Sequence, residues 1–192
     1  SDLVFLPAKR LKQLGIKYQS STTTSMSHAE YYPGTFFITT KLTFNPEDGT
    51  LYGAQCVGHE GVDKRIDQLA IIIKHKGTIY DLIRLEQAYA PPFSSAKDPI
   101  AIAGYTAANI ISGKMPVIYW RDIDGLDRSK VQIIDTRTPS EFSLGTISGA
   151  VNIPVDDIRE RMGEIDKSKP VVTFCAVGLR GYIAARILMA NG

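Results

Sequence analysis

Residues 171–181 read VVTFCAVGLRG, and the fold of the second half of the chain turns on them. Val171 to Phe174 are β-branched or aromatic, the pattern of a buried strand. The chain then breaks into Cys175-Ala176-Val177-Gly178-Leu179-Arg180-Gly181 and resumes as an apolar, helix-like run, RGYIAARILMANG. Working outward toward the N-terminus, VQIIDTR reads as a strand, PSEFSLG as a short helix, AVNIP as a strand and VDDIRERMGEI as a helix. Short strands alternating with helices predict an α/β domain with a parallel sheet.

In such a unit the turn after a strand delivers the chain to a helix N-terminus, where free N–H groups and the helix dipole favour negative charge. Gly178 and Gly181 let the backbone fold tightly around a guest. A thiol at Cys175 is expected to have its pKa drawn below the free value of about 8.5, which makes thiolate the working form. Arg180 adds a permanent charge and a planar fork of donors at the mouth of the same loop. The competing reading makes Cys175 a small apolar filler at a strand end. A cysteine phosphatase also sets a thiolate and an arginine about one loop, but with a longer spacing. The four residues between Cys175 and Arg180 suit a smaller guest.

CAVGLRG, preceded by IIDTRTPSEFSLGTISGAVNIP, resembles the rhodanese sulfurtransferases from about Val117 to the end of the sequence. The resemblance implies that Cys175 takes up a sulfane sulfur as a persulfide and passes it to a nucleophile. The N–H groups of residues 176 to 180 would cradle it, in a loop formed by Ala176, Val177, Gly178, Leu179 and Gly181. Arg180 would help to hold the loop and an anionic donor, and Asp135, Arg137 and Glu141 would be structural pairing partners. Thr146 stands where the family carries a histidine, and Leu179 is a bulky loop residue. Rhodanese domains continue past this helix into another strand and helix, so the domain is expected to lack its C-terminal end.

The first half has a different rhythm. Pro7 followed by Ala8 to Leu14 predicts a short helix ended by Gly15, and the opening, without a cap or initiator methionine, suggests a fragment. Ile16 to Ser27 is rich in β-branched and hydroxyl residues, GTFFITTKLTFN alternates, and TLYGAQCVG follows a PEDG turn, which predicts three antiparallel strands. From Gly61, Val62, Ile66, Leu69, Ala70 and Ile73 recur at helical spacing up to Gly77. Thr78 is a plausible cap for a second helix running to about Tyr89, and a third is expected from about Ile100 to Ser112. Strands followed by helices make an α+β layer pair. GKMPVIYW, at 113–120, is a Gly/Pro joint, so the domains are placed at 1–114 and 115–192.

YYPGTFFITTKLTFNPEDGTLYGAQCVGHEGVDKRIDQLA and LEQAYAPPFSSAKDPIAIAGYTAANI resemble the C-terminal dimerisation domain of flavin-dependent pyridine nucleotide-disulfide oxidoreductases. The branch of coenzyme A-disulfide reductases and NADH oxidases is the nearest in pattern. With the rhodanese-like tail, the whole resembles the C-terminal part of a coenzyme A-disulfide or persulfide reductase. That resemblance implies a homodimer, FAD, NAD(P)H, and a coenzyme A-type thiol, persulfide or disulfide substrate. No GxGxxG follows any strand, so the flavin is expected on domains outside this sequence and none on this chain alone. The HPTxxE segment of the glutathione-reductase branch is absent. By the resemblance a phenol stands in for its histidine: Tyr89 in YAPPFSSAKDP and Tyr31 or Tyr32 in YYPG would reach the partner's active site. Lys97 would meet the coenzyme A side of the substrate, and His28 would lie near it. Each also admits a structural reading, as packing tyrosines, a surface lysine and a strand-end histidine. Cys56 reads as a small core residue, and HEGVDKRID as a solvated helix start.

The totals narrow the classes. Of 192 residues 44% are apolar, enough for a packed core. Residues 1–114 hold 12 basic and 10 acidic side chains and residues 115–192 hold 10 of each, so neither half has the basic excess that nucleic acid demands. No apolar run approaches the roughly 18 residues that span a bilayer, and no signal peptide opens the chain. Two cysteines in different halves, without metal-type spacing, point to a reducing, cytoplasmic setting with no metal and no disulfide. The other class that fits is a dimerising interaction module whose rhodanese-like domain is a silent sensor.

Overall fold

Buried positions alternate with less buried ones from Phe37 to Leu42, and Ile38, Thr40, Leu42 and Phe44 are all buried at a spacing of two. That period of two makes the segment, β2, the centre of a three-stranded antiparallel sheet in the computed structural model, which describes residues 6–192. β1 (Gln19–Met26) pairs along its full length, from Gln19 opposite Phe44 to Met26 opposite Phe37. β3 (Leu51–Gly58) pairs on the other side, with Ile38 opposite Gly58. Upstream, α1 (Ala8–Gln13) stops at Gly15, whose φ is +68°.

Three helices cover this sheet: α2 (Val62–Lys74), α3 (Ile79–Arg84) and α4 (Pro99–Ile111). Leu42, Phe44 and Leu51 pack with Leu69, Ile73, Ile79, Leu82, Ile100, Ala103 and Ala107 in one core. The helix starts are chemically marked. The Thr78 hydroxyl accepts from the Tyr80 N–H while Asp81 accepts from the Thr78 N–H, and Asp98 caps α4 ahead of Pro99. α3 ends at Arg84, short of the expected Tyr89, because Leu85 is already extended and the chain runs irregularly through Pro91 and Pro92 to Asp98.

The described residues divide into two compact units, and the second spans Lys114–Gly192. Its sheet is parallel throughout, ordered β5–β4–β6 from β4 (Gln132–Asp135), β5 (Val151–Asn152) and β6 (Val171–Phe174). α5 (Pro139–Ser143) follows β4, and α6 (Leu179–Ala190) follows β6. Ile134, Ile153, Ile158, Ile165, Ala184 and Ile187 form the core. An antiparallel sheet with helices is thus followed by a parallel sheet with helices.

Two local expectations are corrected. VDDIRERMGEI is a run of turns ending in a 3₁₀ turn at Met162–Glu164, held by bonds such as Glu160 N–H to the Asp157 carbonyl. Such turns bring residues three apart onto one side, so Ile158 and Ile165 reach the core without a continuous α-helix. β6, expected to be buried, is half-buried at all four residues because β4 is its only strand partner among the described residues.

Leu42 is fully enclosed at the middle of the first core. Leu42→Ala should therefore lower the unfolding free energy by about 2–5 kcal/mol in urea denaturation; an unchanged midpoint would place this side chain outside the packed layer.

Candidate functional site

The cysteine loop is built from two carboxylates upward. β4 ends on Asp135, which is completely buried and accepts from the Arg137 N–H at 3.0 Å, from its guanidinium at 2.9, 3.1 and 2.6 Å, and from the Thr146 hydroxyl at 2.8 Å. Burial pushes the Asp135 carboxyl up, but the Arg137 hydrogen bonds outweigh it and hold it below the ordinary range. Arg137 also donates to the Gly145 carbonyl and lies over the Phe174 ring, 5.9 Å from its centroid. The residue before Cys175 is thereby fixed from the neighbouring strand's end.

The second carboxylate is Glu141. It completes a capping box with Thr138 at the start of α5 and takes both ends of the Arg180 guanidinium at 2.7 Å. The fork depresses Glu141 well below the usual carboxylate range and raises Arg180, which also faces the Cys175 thiol. Two of the five Arg180 N–H donors are thus engaged by Glu141, and the guanidinium also reaches the Cys175 sulfur.

The chain turns because two glycines do different jobs. Gly178 has φ +98° and precedes the first residue of α6, and its N–H donates to Cys175 Sγ at 3.1 Å. At Gly181 a Cβ would sit 3.1 Å from the Phe174 Cα, so glycine lets α6 pack onto β6 without the backbone giving way. The Thr173 hydroxyl secures that contact by donating to the Gly181 carbonyl at 2.8 Å. The first-turn N–H groups of α6 lack acceptors within the helix and lie at the same end. Ala176, Val177 and Leu179 are exposed around this turn, and an apolar groove of about 660 Å³ along β6 and α6 opens to Cys175 and Gly178.

In the first unit the loop after β1 meets the loop before α4. Tyr31 and Tyr89, 77% and 52% exposed, place their hydroxyls 3.4 Å apart, and that hydrogen bond raises the Tyr31 pKa. Of the two candidates in YYPG, Tyr31 therefore joins Tyr89, while Tyr32 packs edge-on against His28. His28 is buried, with Nδ1 on the Ser27 hydroxyl and Nε2 on the Pro33 carbonyl, and both ring nitrogens are used inside its own loop. It does not share the exposed face of the tyrosine pair. Lys97 is exposed, with Nζ 5.3 Å from the Tyr105 ring centroid. Cys56 is half-buried beside the Thr40 hydroxyl, and burial pushes its thiol up.

Sequence reasoning missed one feature. Arg65, placed in a solvated helix start, is buried and forked onto Asp98. The signal was its register: Arg65, Leu69 and Ile73 are the buried positions of α2, so the arginine lies in the inward stripe. Among the described residues no cluster of three or more His, Cys, Asp or Glu could hold a metal, and no helix is long and apolar enough to cross a membrane.

Comparison with known proteins supplies two family matches. Residues 6–101 match the pyridine nucleotide-disulphide oxidoreductase dimerisation domain, and residues 123–192 match the rhodanese-like domain. The coenzyme A disulfide reductase of Staphylococcus aureus (strain bovine RF122 / ET3-1) is 39% identical over 90 residues, which is 47% of this chain and 20% of that protein. Among solved structures, reduced Bacillus anthracis CoADR-RHD superposes with a TM-score of 0.94 at 44% identity, covering 98% of this chain and 34% of that one. A NAD-dependent persulfide reductase from A. fulgidus superposes at 0.85 with 34% identity and the same coverage. The chain thus spans about a fifth of the curated relative's length and about a third of the solved structures' chains.

Two outcomes follow from the electrostatics. Asp98 and Asp135 are both held below the unfolded carboxylate value of about 3.9. Groups depressed in this way stabilise the fold above that value, and the stabilisation is lost as pH falls through the folded pKa. The thermal midpoint should be level from pH 7 to about 5 and drop below about 4; a flat profile to pH 2.5 would contradict the two ion pairs. Iodoacetamide at pH 7 should alkylate Cys175 ahead of Cys56, whose thiol burial disfavours ionisation, and peptide mass mapping reads the order.

Proposed function

We propose that this chain, which belongs to the pyridine nucleotide-disulphide oxidoreductase family through its dimerisation domain, is the sulfur-carrying and dimer-forming part of an FAD-dependent NAD(P)H:coenzyme A-disulfide, persulfide or polysulfide reductase. The observation that carries the reading is the Gly178 N–H aimed at Cys175 Sγ beside Arg180, at the N-terminus of α6. A second sulfur atom bonded to Cys175 would meet the same amides, whose partial positive charge favours an anion.

The transfer itself needs no redox partner. The Cys175 thiolate attacks the outer sulfur of a persulfide R–S–SH, the donor's S–S bond breaks, and R–S⁻ departs. Cys175–S–SH is left, with the proton still on the transferred sulfur. An acceptor thiolate then attacks that outer sulfur and returns Cys175 to the thiolate. Arg180, already forked onto Glu141, contributes field and rigidity while the backbone amides do the holding. Ala176, Val177 and Leu179 give the mouth an apolar rim that suits an organic persulfide.

Neither unit fits a dinucleotide. The first sheet is antiparallel, the turn from β6 to α6 is the cysteine loop, and among the described residues no strand-to-helix turn carries Gly-x-Gly-x-x-Gly, the β3–α2 turn having only Gly58 and Gly61. FAD and NAD(P)H, which would supply two-electron reduction, are assigned to parts of the enzyme outside this chain. Within a cytoplasmic homodimer, the first unit presents Tyr31 and Tyr89 to the partner's active site as hydroxyl donors to a substrate thiolate. Lys97 faces the coenzyme A side of that substrate.

Incubation with glutathione persulfide, followed by intact-mass analysis, should add one sulfur atom to the chain and none to Cys175→Ser. Thiosulfate:cyanide sulfurtransferase turnover should likewise vanish in Cys175→Ser. No added sulfur and turnover equal to that of the variant would instead identify a silent rhodanese-like module.

A further inference from the structure

Arg65 and Asp98 are the most deeply enclosed opposite charges of the first unit, 1% and 3% exposed. Their contact is full: Nε reaches both carboxylate oxygens at 3.2 Å and Nη2 reaches Oδ2 at 2.6 Å. A pair this deep has a desolvation cost that can cancel its attraction, so stability alone does not account for it. Its remaining bonds do something more specific.

Arg65 Nη2 donates to the Ser27 carbonyl at 2.8 Å, and Nη1 to the Gly61 carbonyl at 3.1 Å. Ser27 opens the loop that carries Tyr31. On the other side, Asp98 Oδ2 accepts from the buried Ser94 hydroxyl at 2.6 Å, and Oδ1 accepts from the Ile100 N–H. Ser94 lies in the loop that carries Tyr89, and its own carbonyl accepts from the Ala29 N–H at 3.1 Å, with the Pro91 carbonyl as a second acceptor. One charge pair therefore ties α2, the start of α4 and both tyrosine-bearing loops. Each tyrosine is exposed and has little packing of its own to hold it.

We propose that Arg65 and Asp98 form a positioning pair that sets the Tyr31 and Tyr89 hydroxyls against each other, with Ser94 as the link to the Tyr89 loop. The value of that placement to substrate rests on the reading of the two tyrosines given above. The placement itself does not, and can be measured without substrate.

The experiment uses the chain labelled with 3-fluorotyrosine, its ¹⁹F resonances assigned by single Tyr→Phe variants. The readout is the displacement of the Tyr31 titration when Tyr89 is replaced by Phe. In the unsubstituted background Tyr31 should titrate higher with Tyr89 present than in Tyr89→Phe. In Asp98→Asn that difference should disappear. Asp98→Asn leaves a buried guanidinium without its charge partner and is prone to misfold, so Ser94→Ala, which keeps the ion pair, is measured in parallel. Loss of the Tyr31–Tyr89 coupling in folded Ser94→Ala supports the positioning role. Coupling that survives in Ser94→Ala, or is absent from the unsubstituted chain, overturns it. Full reductase turnover in Tyr31→Phe and Tyr89→Phe would defeat the functional reading and leave the coupling result standing.

Discussion

A guanidinium forked onto a carboxylate fixes every loop on which chemistry is placed here. Arg180 on Glu141 ties the cysteine loop to the start of α5, Arg137 on Asp135 braces the residue before it, and Arg65 on Asp98 joins the two tyrosine loops. Loops have few buried apolar contacts to hold them, so position must come from directional bonds. A planar fork supplies two parallel bonds at once and resists rotation, which a lysine ammonium cannot do. Because Asp98 and Asp135 are buried, their pairs are shielded from the solvent and salt that weaken surface pairs.

That use of arginine also sets the surroundings of Cys175. Arg180 retains its charge near the thiol, with two of its N–H donors on Glu141 and a hydrogen bond to the Cys175 side chain as well. The Gly178 N–H is also directed at the Cys175 sulfur, at 3.1 Å. Val177 and Leu179 are exposed beside the turn and leave its mouth apolar.

The fold was largely legible because its signals are local. Alternation in Phe37–Phe44, the Thr78 and Asp98 positions before helices, and the strand–Gly–helix sequence at Cys175 each state their structure within a few residues. What sequence could not show was pairing at a distance. Arg65 and Asp98 are 33 residues apart, and Glu141 and Arg180 are 39 apart, so Glu141 could be recognised as a scaffold residue without its partner being known. The choice between Tyr31 and Tyr32 was undecidable for the same reason, since only the facing loop selects which of two adjacent phenols meets Tyr89. The turns at 154–165 were misread because helices and successive tight turns share a spacing of three to four residues.

The two cysteines show how completely surroundings decide the fate of one side chain. Cys56 sits within β3 beside the Thr40 hydroxyl, and burial pushes its thiol up. Cys175 stands one residue past the end of β6, where the ladder has stopped and the helix bonds have not begun. In that gap Gly178 turns its N–H back onto the sulfur. A left-handed φ at Gly178 and the close approach at Gly181 are needed to open the gap and keep it narrow. The setting of Cys175 thus follows from a discontinuity in backbone hydrogen bonding, with the charged side chains serving to hold that discontinuity in shape.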